Sequence, residues 1–225
     1  MLKYPCLVLD HDDTVVASEV AVNYPCFLLA LKKFRPGEPA MDYPEFVSWC
    51  FRMDFADFLK ERYGFTHEET REEYLMWLEY AKEHIPPACE GMKEIILEQK
   101  KRGGLVCVVS HSGRETILRD YRTHFGMEPD LIFSRDDPRE HQKPNTYPLE
   151  QIMSRYQLQP QELLMVDDLK TGYEMARKAG VPSAFAGWCR RMVPEVGDQM
   201  RAWCDYTFDT VEELQKFLFP PAQSP

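Results

Sequence analysis

Leu7-Val8-Leu9-Asp10-His11-Asp12-Asp13-Thr14 is the stretch on which the reading of the chain turns. A short apolar run ends in two carboxylates spaced by one residue, followed by a hydroxyl. An extended backbone repeats every two residues, so Asp10 and Asp12 leave the strand end on the same side. Two anions held together repel, and one pKa rises unless a cation neutralises them. The pattern suits a hard metal ion, with acid and nucleophile chemistry, at the tip of a sheet. Acidic pairs also occur as plain solvated turns, so the rest of the chain has to decide.

Further apolar runs occupy residues 105–109, 131–133, 163–166, 184–186 and 206–208. Continuous apolar strands separated by helical stretches predict a parallel sheet buried on both faces. Helices are signalled between them. Met92, Ile95 and Ile96 form a stripe that stops at Arg102-Gly103-Gly104. Leu149, Ile152, Met153 and Tyr156 form another. Ser112-x-x-Glu115, Thr171-x-x-Glu174 and Thr210-x-x-Glu213 read as capping boxes. From about residue 91 the strand–helix alternation predicts a doubly wound, Rossmann-like α/β core.

Residues 15–90 break that rhythm. They predict helices over 20–34, with a kink or restart at Pro25, and over 43–53, 55–63 and 66–84, with starts at Asp42 and Thr66. Pro86-Pro87 closes the block. Its aromatics, Trp49, Phe51, Phe55, Phe58, Tyr74 and Trp77 among them, read as packing of an all-helical insertion. The expected division is a core of residues 1–14 and 91–225, with a helical cap of residues 15–90.

Composition narrows the function classes. With 225 residues, 44% hydrophobic and 28% charged, the chain can build one large domain or a domain with an insertion. A net charge of −10 argues against a nucleic-acid surface. No apolar stretch reaches the ~18–20 residues of a membrane span. The first strand starts too early to leave room for a signal peptide. Seven scattered cysteines with no Cys-x-x-Cys pair read as reduced packing residues of a cytoplasmic protein.

Four features fall at successive strand ends, where open α/β sheets bind ligands. They are Asp10-x-Asp12-x-Thr14, Ser110 before a helix start, Lys143-Pro144 before a helix expected near Asn145, and Asp167-Asp168 followed by Gly172. A hydroxyl and free amides at a helix N-terminus suit a phosphate. Each feature alone has an ordinary structural reading. Four in this order are much harder to reach by chance.

In these segments the sequence resembles the haloacid-dehalogenase-like (HAD) hydrolases, in the subfamily with a helical cap inserted after the first motif. That family has Asp-x-Asp-Gly-Thr, a Ser or Thr after the second strand, Lys-Pro, and an acidic pair followed by Gly. Here they stand as Asp10-His11-Asp12-Asp13-Thr14, Ser110, Lys143-Pro144 and Asp167 to Gly172; residues 174–181 match the helix beyond. Asp13 replaces the usual Gly, and Leu169 replaces a common Ser.

The resemblance implies a Mg2+-dependent phosphatase. Asp10 is the nucleophile that forms an aspartyl-phosphate, and Asp12 is the acid and base. Mg2+ is held by Asp10, the Asp12 main-chain carbonyl and Asp168. Ser110, the His111 amide and Lys143 bind the phosphate, with Thr14 and Asp167 behind them. Arg52 and Arg114 are candidates for substrate contact. The expected partner is a small phosphate ester, with no nucleic acid and no membrane; the oligomeric state stays open, a monomer included. A phosphomutase of the same family, or a non-catalytic phosphate-binding module, remains an alternative. No Gly-x-Gly-x-x-Gly follows the first strand, which disfavours a dinucleotide enzyme. The side chain of His11 is expected to point away from Asp10 and Asp12. His67, His84, His124 and His141 show no metal-ligand spacing.

Overall fold

A computed structural model describes residues 2–190 and 193–220. The chain enters through β1 (Cys6–Leu9) and passes a π-helical turn (Glu19–Asn23). Four helices follow: α1 (Tyr24–Phe34), α2 (Tyr43–Arg52), α3 (Phe55–Tyr63) and α4 (His67–Glu83). Alternation then sets in with α5 (Met92–Lys101), β2 (Leu105–Val109), α6 (Arg114–Phe125), β3 (Leu131–Phe133) and α7 (Tyr147–Tyr156). It continues through β4 (Leu163–Asp167), α8 (Lys170–Ala179), β5 (Ser183–Ala186), α9 (Pro194–Trp203), β6 (Tyr206–Phe208) and α10 (Val211–Leu218).

The described strands form one parallel sheet in the order β3-β2-β1-β4-β5-β6. This is the doubly wound α/β class. The order reverses beside β1, between β2 and β4, which is where such sheets open a crevice for ligands. Register brings the strand ends level, because Leu9 faces Val108 on one side and Val166 on the other. The Asp10 N–H then donates to the Val166 carbonyl over 2.9 Å, so Asp10 leaves the sheet next to the end of β4.

Alternation along the strands splits the core into two layers. Leu7, Leu9, Val106, Val108, Leu164 and Val166 pack with Ile95, Ile117, Tyr121 and Leu214. Cys6, Val8, Cys107, Val109 and Met165 pack with Leu149, Ile152, Met175 and Ala176 on the other face. Burying each such side chain contributes about 1.5–3 kcal/mol, which is why two-sided burial demands continuous apolar strands. A third cluster, centred on Phe27, Phe46 and Phe58, ties the first three inserted helices together and reaches Phe185, Val196 and Met200.

Helix starts follow the sequence in part. Asp42 accepts from the Glu45 N–H, and Thr66 and Thr210 form complete capping boxes. The restart expected at Pro25 is the handover from the π-helical turn to α1, with Pro25 in the first turn, where no N–H is needed. Two expected caps fail. The helix after β2 takes Gly113 as its N-cap and that after β4 takes Leu169, neither with a side-chain bond. Ser112 has a different partner, and Asp167 accepts the Leu169 N–H over 2.8 Å in place of a Thr171 cap. The helix expected near Asn145 starts at Tyr147, because Asn145 spends its amide on the Arg139 and Gln142 carbonyls.

Candidate active site

Lys143 lies at the centre. Its ammonium is 2.7 Å from Asp10 Oδ1 and 2.7 Å from Asp167 Oδ2. Burial works against its charge, but Asp10 and Asp167 outweigh that and hold its pKa above the ordinary value. Burial pushes Asp167 up to about 6 in spite of Lys143, and raises Asp168 well above the usual carboxylate range. Asp10 is 4% exposed and Asp168 1%, so the cluster is sealed from bulk water. Gly172 belongs to the same construction, since a Cβ there would overlap the Asp167 carboxylate.

Oxygens of Asp10, Asp167 and Asp168 all lie within 4.8 Å of one another. Three buried carboxylates crowded together form a hard donor set that fits a cation such as Mg2+. The Asp12 side chain is not part of it. Asp12 instead accepts from Ser18 Oγ at 2.6 Å, Ser112 Oγ at 2.6 Å and Ser110 Oγ at 3.2 Å. Burial alone would raise its pKa, but the His11 charge, the Ser112 and Ser18 hydroxyls and Lys143 bring it below the ordinary value. Ser112 is therefore a site residue that sequence reasoning assigned to a cap. The signal for it was a second hydroxyl, two residues past Ser110.

Both histidines of the motifs hold neighbours in place. His11 turns away from Asp10 and Asp12, and its Nε2 lies 3.0 Å from Asp120 Oδ2, both side chains fully buried. Asp120 also takes Arg119 at 2.7 Å, and Arg119 reaches the Ala81 carbonyl at the end of α4. Burial lowers the His11 pKa, but the Asp120 hydrogen bond and surrounding carboxylates leave it raised. His111 Nε2 donates to the Lys143 carbonyl at 2.9 Å, so its ring steadies the loop that carries the lysine. Burial and the Lys143 charge lower the His111 pKa, which keeps the ring neutral.

Asp13, in the place of the family glycine, has φ +54°, a left-handed conformation that glycine takes most easily. Its carboxylate accepts from the Glu19 N–H at 3.0 Å and faces Arg190 at 2.9 Å. Arg190 also contacts Asp168. This buried arginine was not anticipated, because it follows β5, outside every motif. The Thr14 carbonyl accepts from Trp188 Nε1 at 3.1 Å, and its hydroxyl is buried with no partner among the described residues. Leu169 sends its side chain into the aromatic cluster.

Neither arginine proposed for substrate contact joins this cluster. Arg52, more than half exposed, pairs with Glu195 at 3.4 Å. The Arg114 guanidinium donates to the Ile132 carbonyl at 2.9 Å and faces Asp137 at 3.4 Å, and its backbone N–H donates to Asp136. His124 donates to the Pro86 carbonyl at 2.8 Å, and His84 and His141 stack on Tyr80 and Tyr147.

A family model described as haloacid dehalogenase-like hydrolase matches residues 7–186. Among solved structures, the chain is similar to a predicted phosphoglycolate phosphatase from Haemophilus somnus 129pt, with TM-score 0.77 and 18% identity over 96% of this chain and 99% of that one. It is also similar to CbbY from Rhodobacter sphaeroides in complex with xylulose-1,5-bisphosphate, with TM-score 0.73 and 18% identity over 95% and 96% of the two chains. A HAD family hydrolase from Deinococcus radiodurans R1 with bound phosphate and sodium aligns with TM-score 0.74 and 16% identity over 98% and 99%. A search of curated proteins finds no significant match.

Proposed function

Because the chain belongs to the haloacid dehalogenase-like hydrolases, we propose that it is a Mg2+-dependent phosphatase that cleaves a small phosphate monoester through an aspartyl-phosphate at Asp10. The observation that carries this reading is Lys143, held 2.7 Å from both Asp10 and Asp167 beside a third buried carboxylate, Asp168. A carboxylate with a fixed cation on one side and a cation-fitting donor set on the other is equipped to approach an anionic phosphorus.

In this reading Asp10 attacks phosphorus and the leaving oxygen takes its proton from Asp12. Asp12 then takes a proton from the water that cleaves the acyl-phosphate, returning both residues to their starting state. Lys143 and the Ser110 hydroxyl meet the charge on the transferring phosphoryl group. Mg2+, held by Asp10, Asp168 and the Asp12 main-chain carbonyl, would neutralise charge between nucleophile and phosphate. Asp167 fixes Lys143, and His111 fixes the chain that carries it.

The helices of residues 15–90 act as a cap over a core of residues 1–14 and 91–225. Both connections run beside the site, where Val16 bridges Asp12 on one side and Ala88 on the other. Since Asp10 is sealed, substrate reaches it only when the cap lifts. Lifting breaks the Arg119–Ala81 and Arg52–Glu195 contacts and the stacking of Arg135 on Tyr74 at 4.5 Å. No helix among the described residues is long and apolar enough to cross a membrane. All seven cysteines are free, in keeping with a reducing cytoplasm.

A panel of small phosphate esters, with 2-phosphoglycolate and pentose bisphosphates first, assayed with and without Mg2+, tests the reading. Phosphate release that depends on Mg2+ and on Asp10 supports it. Isomerised sugar phosphate in place of free phosphate would make the chain a mutase.

A further inference from the structure

Arg190 is a cation placed against a carboxylate that the proposed function reserves for metal. Its guanidinium spans two partners, with Nη1 2.9 Å from Asp13 Oδ2 and Nη2 against Asp168 Oδ2. All three side chains are at most 2% exposed. The loop that carries it is pinned. Gly187 donates to the Phe208 carbonyl at 2.8 Å, Trp188 to Thr14 at 3.1 Å, and the Arg190 N–H to Gly187 at 3.2 Å. A guanidinium does not lose its proton in a protein, so this charge is permanent.

We propose that the Asp13–Arg190 pair is a built-in counter-ion for Asp168, which Mg2+ must displace, and that Asp13 retains the arginine once Asp168 turns to the metal. The inference rests on the metal site of the proposed function. A carboxylate oxygen ion-paired with a guanidinium is not free to ligate, so the two cations compete for Asp168. Asp13 makes the exchange possible. Without it, an arginine leaving Asp168 would keep only the nearby Glu19, whose own charge burial disfavours, and would be left without an ion-pair contact in a buried site, which is strongly unfavourable. With it, one arm of the fork stays paired while the other lets go. Backbone geometry at position 13 favours glycine, so the reason for an aspartate there lies in its side chain. The pair therefore sets metal affinity and keeps the metal-free site charge-compensated.

The experiment titrates Mg2+ by calorimetry into EDTA-treated, dialysed protein, with no substrate present. Four chains are compared: wild type, Asp13→Gly, Arg190→Gln and the double variant. Losing the charged competitor should tighten Mg2+ binding in Arg190→Gln by roughly tenfold or more, since a buried cation no longer has to be displaced from a ligand oxygen. Asp13→Gly should weaken it, because Arg190 is left with Asp168 alone. The double variant decides between displacement and long-range charge. It keeps the wild-type net charge, so a purely through-space effect predicts wild-type affinity, whereas displacement predicts tighter binding. It strands only Asp168, whereas Arg190→Gln strands both Asp13 and Asp168, so it is the less disruptive of the two variants that lack the arginine, and a thermal melt of each chain before titration establishes that it is folded. Equal affinity in the wild type and the double variant overturns this inference alone. No Mg2+ binding by any of the chains overturns it together with the metal site.

Discussion

The Ser18 hydroxyl, where the chain leaves the core for the first inserted helix, donates to Asp12 Oδ1 over 2.6 Å. The proposed acid is thus tied to the segment that carries the cap. Ser18 is one of the groups that lower the Asp12 pKa, so removing it moves that pKa upward. Capture of substrate requires Asp12 protonated, and kcat/KM falls as pH rises through its pKa. In Ser18→Ala the alkaline limb of kcat/KM for an alkyl phosphate should move upward, because a hydrogen bond that stabilises the ionised Asp12 is lost. With p-nitrophenyl phosphate, whose leaving group needs no acid, the limb should stay where it is. Equal behaviour of the two substrates would count against Asp12 as the acid.

Metal removal gives a second outcome. EDTA should abolish turnover, Mg2+ should restore it and Ca2+ should not. Ca2+ takes a larger, looser oxygen shell that permits both oxygens of Asp10 to coordinate, and a doubly bound carboxylate cannot attack. Steady-state rates with each ion check this. Full activity in metal-free protein would mean that the cluster of Asp10, Asp167 and Asp168 has another purpose.

Lys143→Met is expected to cost stability before it costs chemistry. It strands Asp10 and Asp167, both buried and both 2.7 Å from the lost ammonium. Removing one partner of a buried pair costs about 3–5 kcal/mol, or roughly 10 °C in Tm for a chain of this size. Mg2+ supplies a substitute cation, so the deficit should shrink in its presence. Thermal melts with MgCl2 and with EDTA measure both numbers. An unchanged Tm in EDTA would contradict the buried-pair description.

Glu73 offers a pH test away from the chemistry. It lies buried on α4, and burial raises its carboxyl to about 7 against an ordinary 4.5. The folded state therefore holds a proton that the unfolded chain releases. That contribution to stability is complete below the unfolded pKa of about 4.5 and is lost as pH rises through about 7. Glu73→Gln removes the dependence. It should melt higher than wild type at pH 8, by an amount on the order of 3 kcal/mol, and no higher at pH 4. Parallel Tm-versus-pH curves would show that Glu73 is not held neutral in the fold.

Much of this was legible in the sequence, for reasons that differ by residue. The strands could be read because two-sided burial forces continuous apolar runs, as in Leu163-Leu164-Met165-Val166. Asp10 and Asp167 could be read because the β1–β4 register brings their strand ends together; Lys143, expected at a strand end, instead lies in the loop between β3 and α7 and reaches both carboxylates from there. What failed was local pattern competing with tertiary demand. Ser112 matches a capping box, yet its hydroxyl goes to Asp12, a partner 100 residues away. Arg190 lies in a loop without periodicity or motif, and only the folded chain brings it to Asp13 and Asp168. Arg52 and Arg114 each have an ion-pair partner that charge alone does not reveal, Glu195 and Asp137.

The most direct test of the account is a pre-steady-state burst with Asp12→Asn protein and p-nitrophenyl phosphate in Mg2+. This leaving group departs without an acid, but cleavage of the aspartyl-phosphate still needs Asp12 as base. One equivalent of p-nitrophenol per site should appear at once and turnover should then stall, with borohydride reduction of the quenched protein converting Asp10 alone to homoserine. Steady p-nitrophenol release with no burst, or a covalent adduct on any residue but Asp10, would contradict the proposed mechanism.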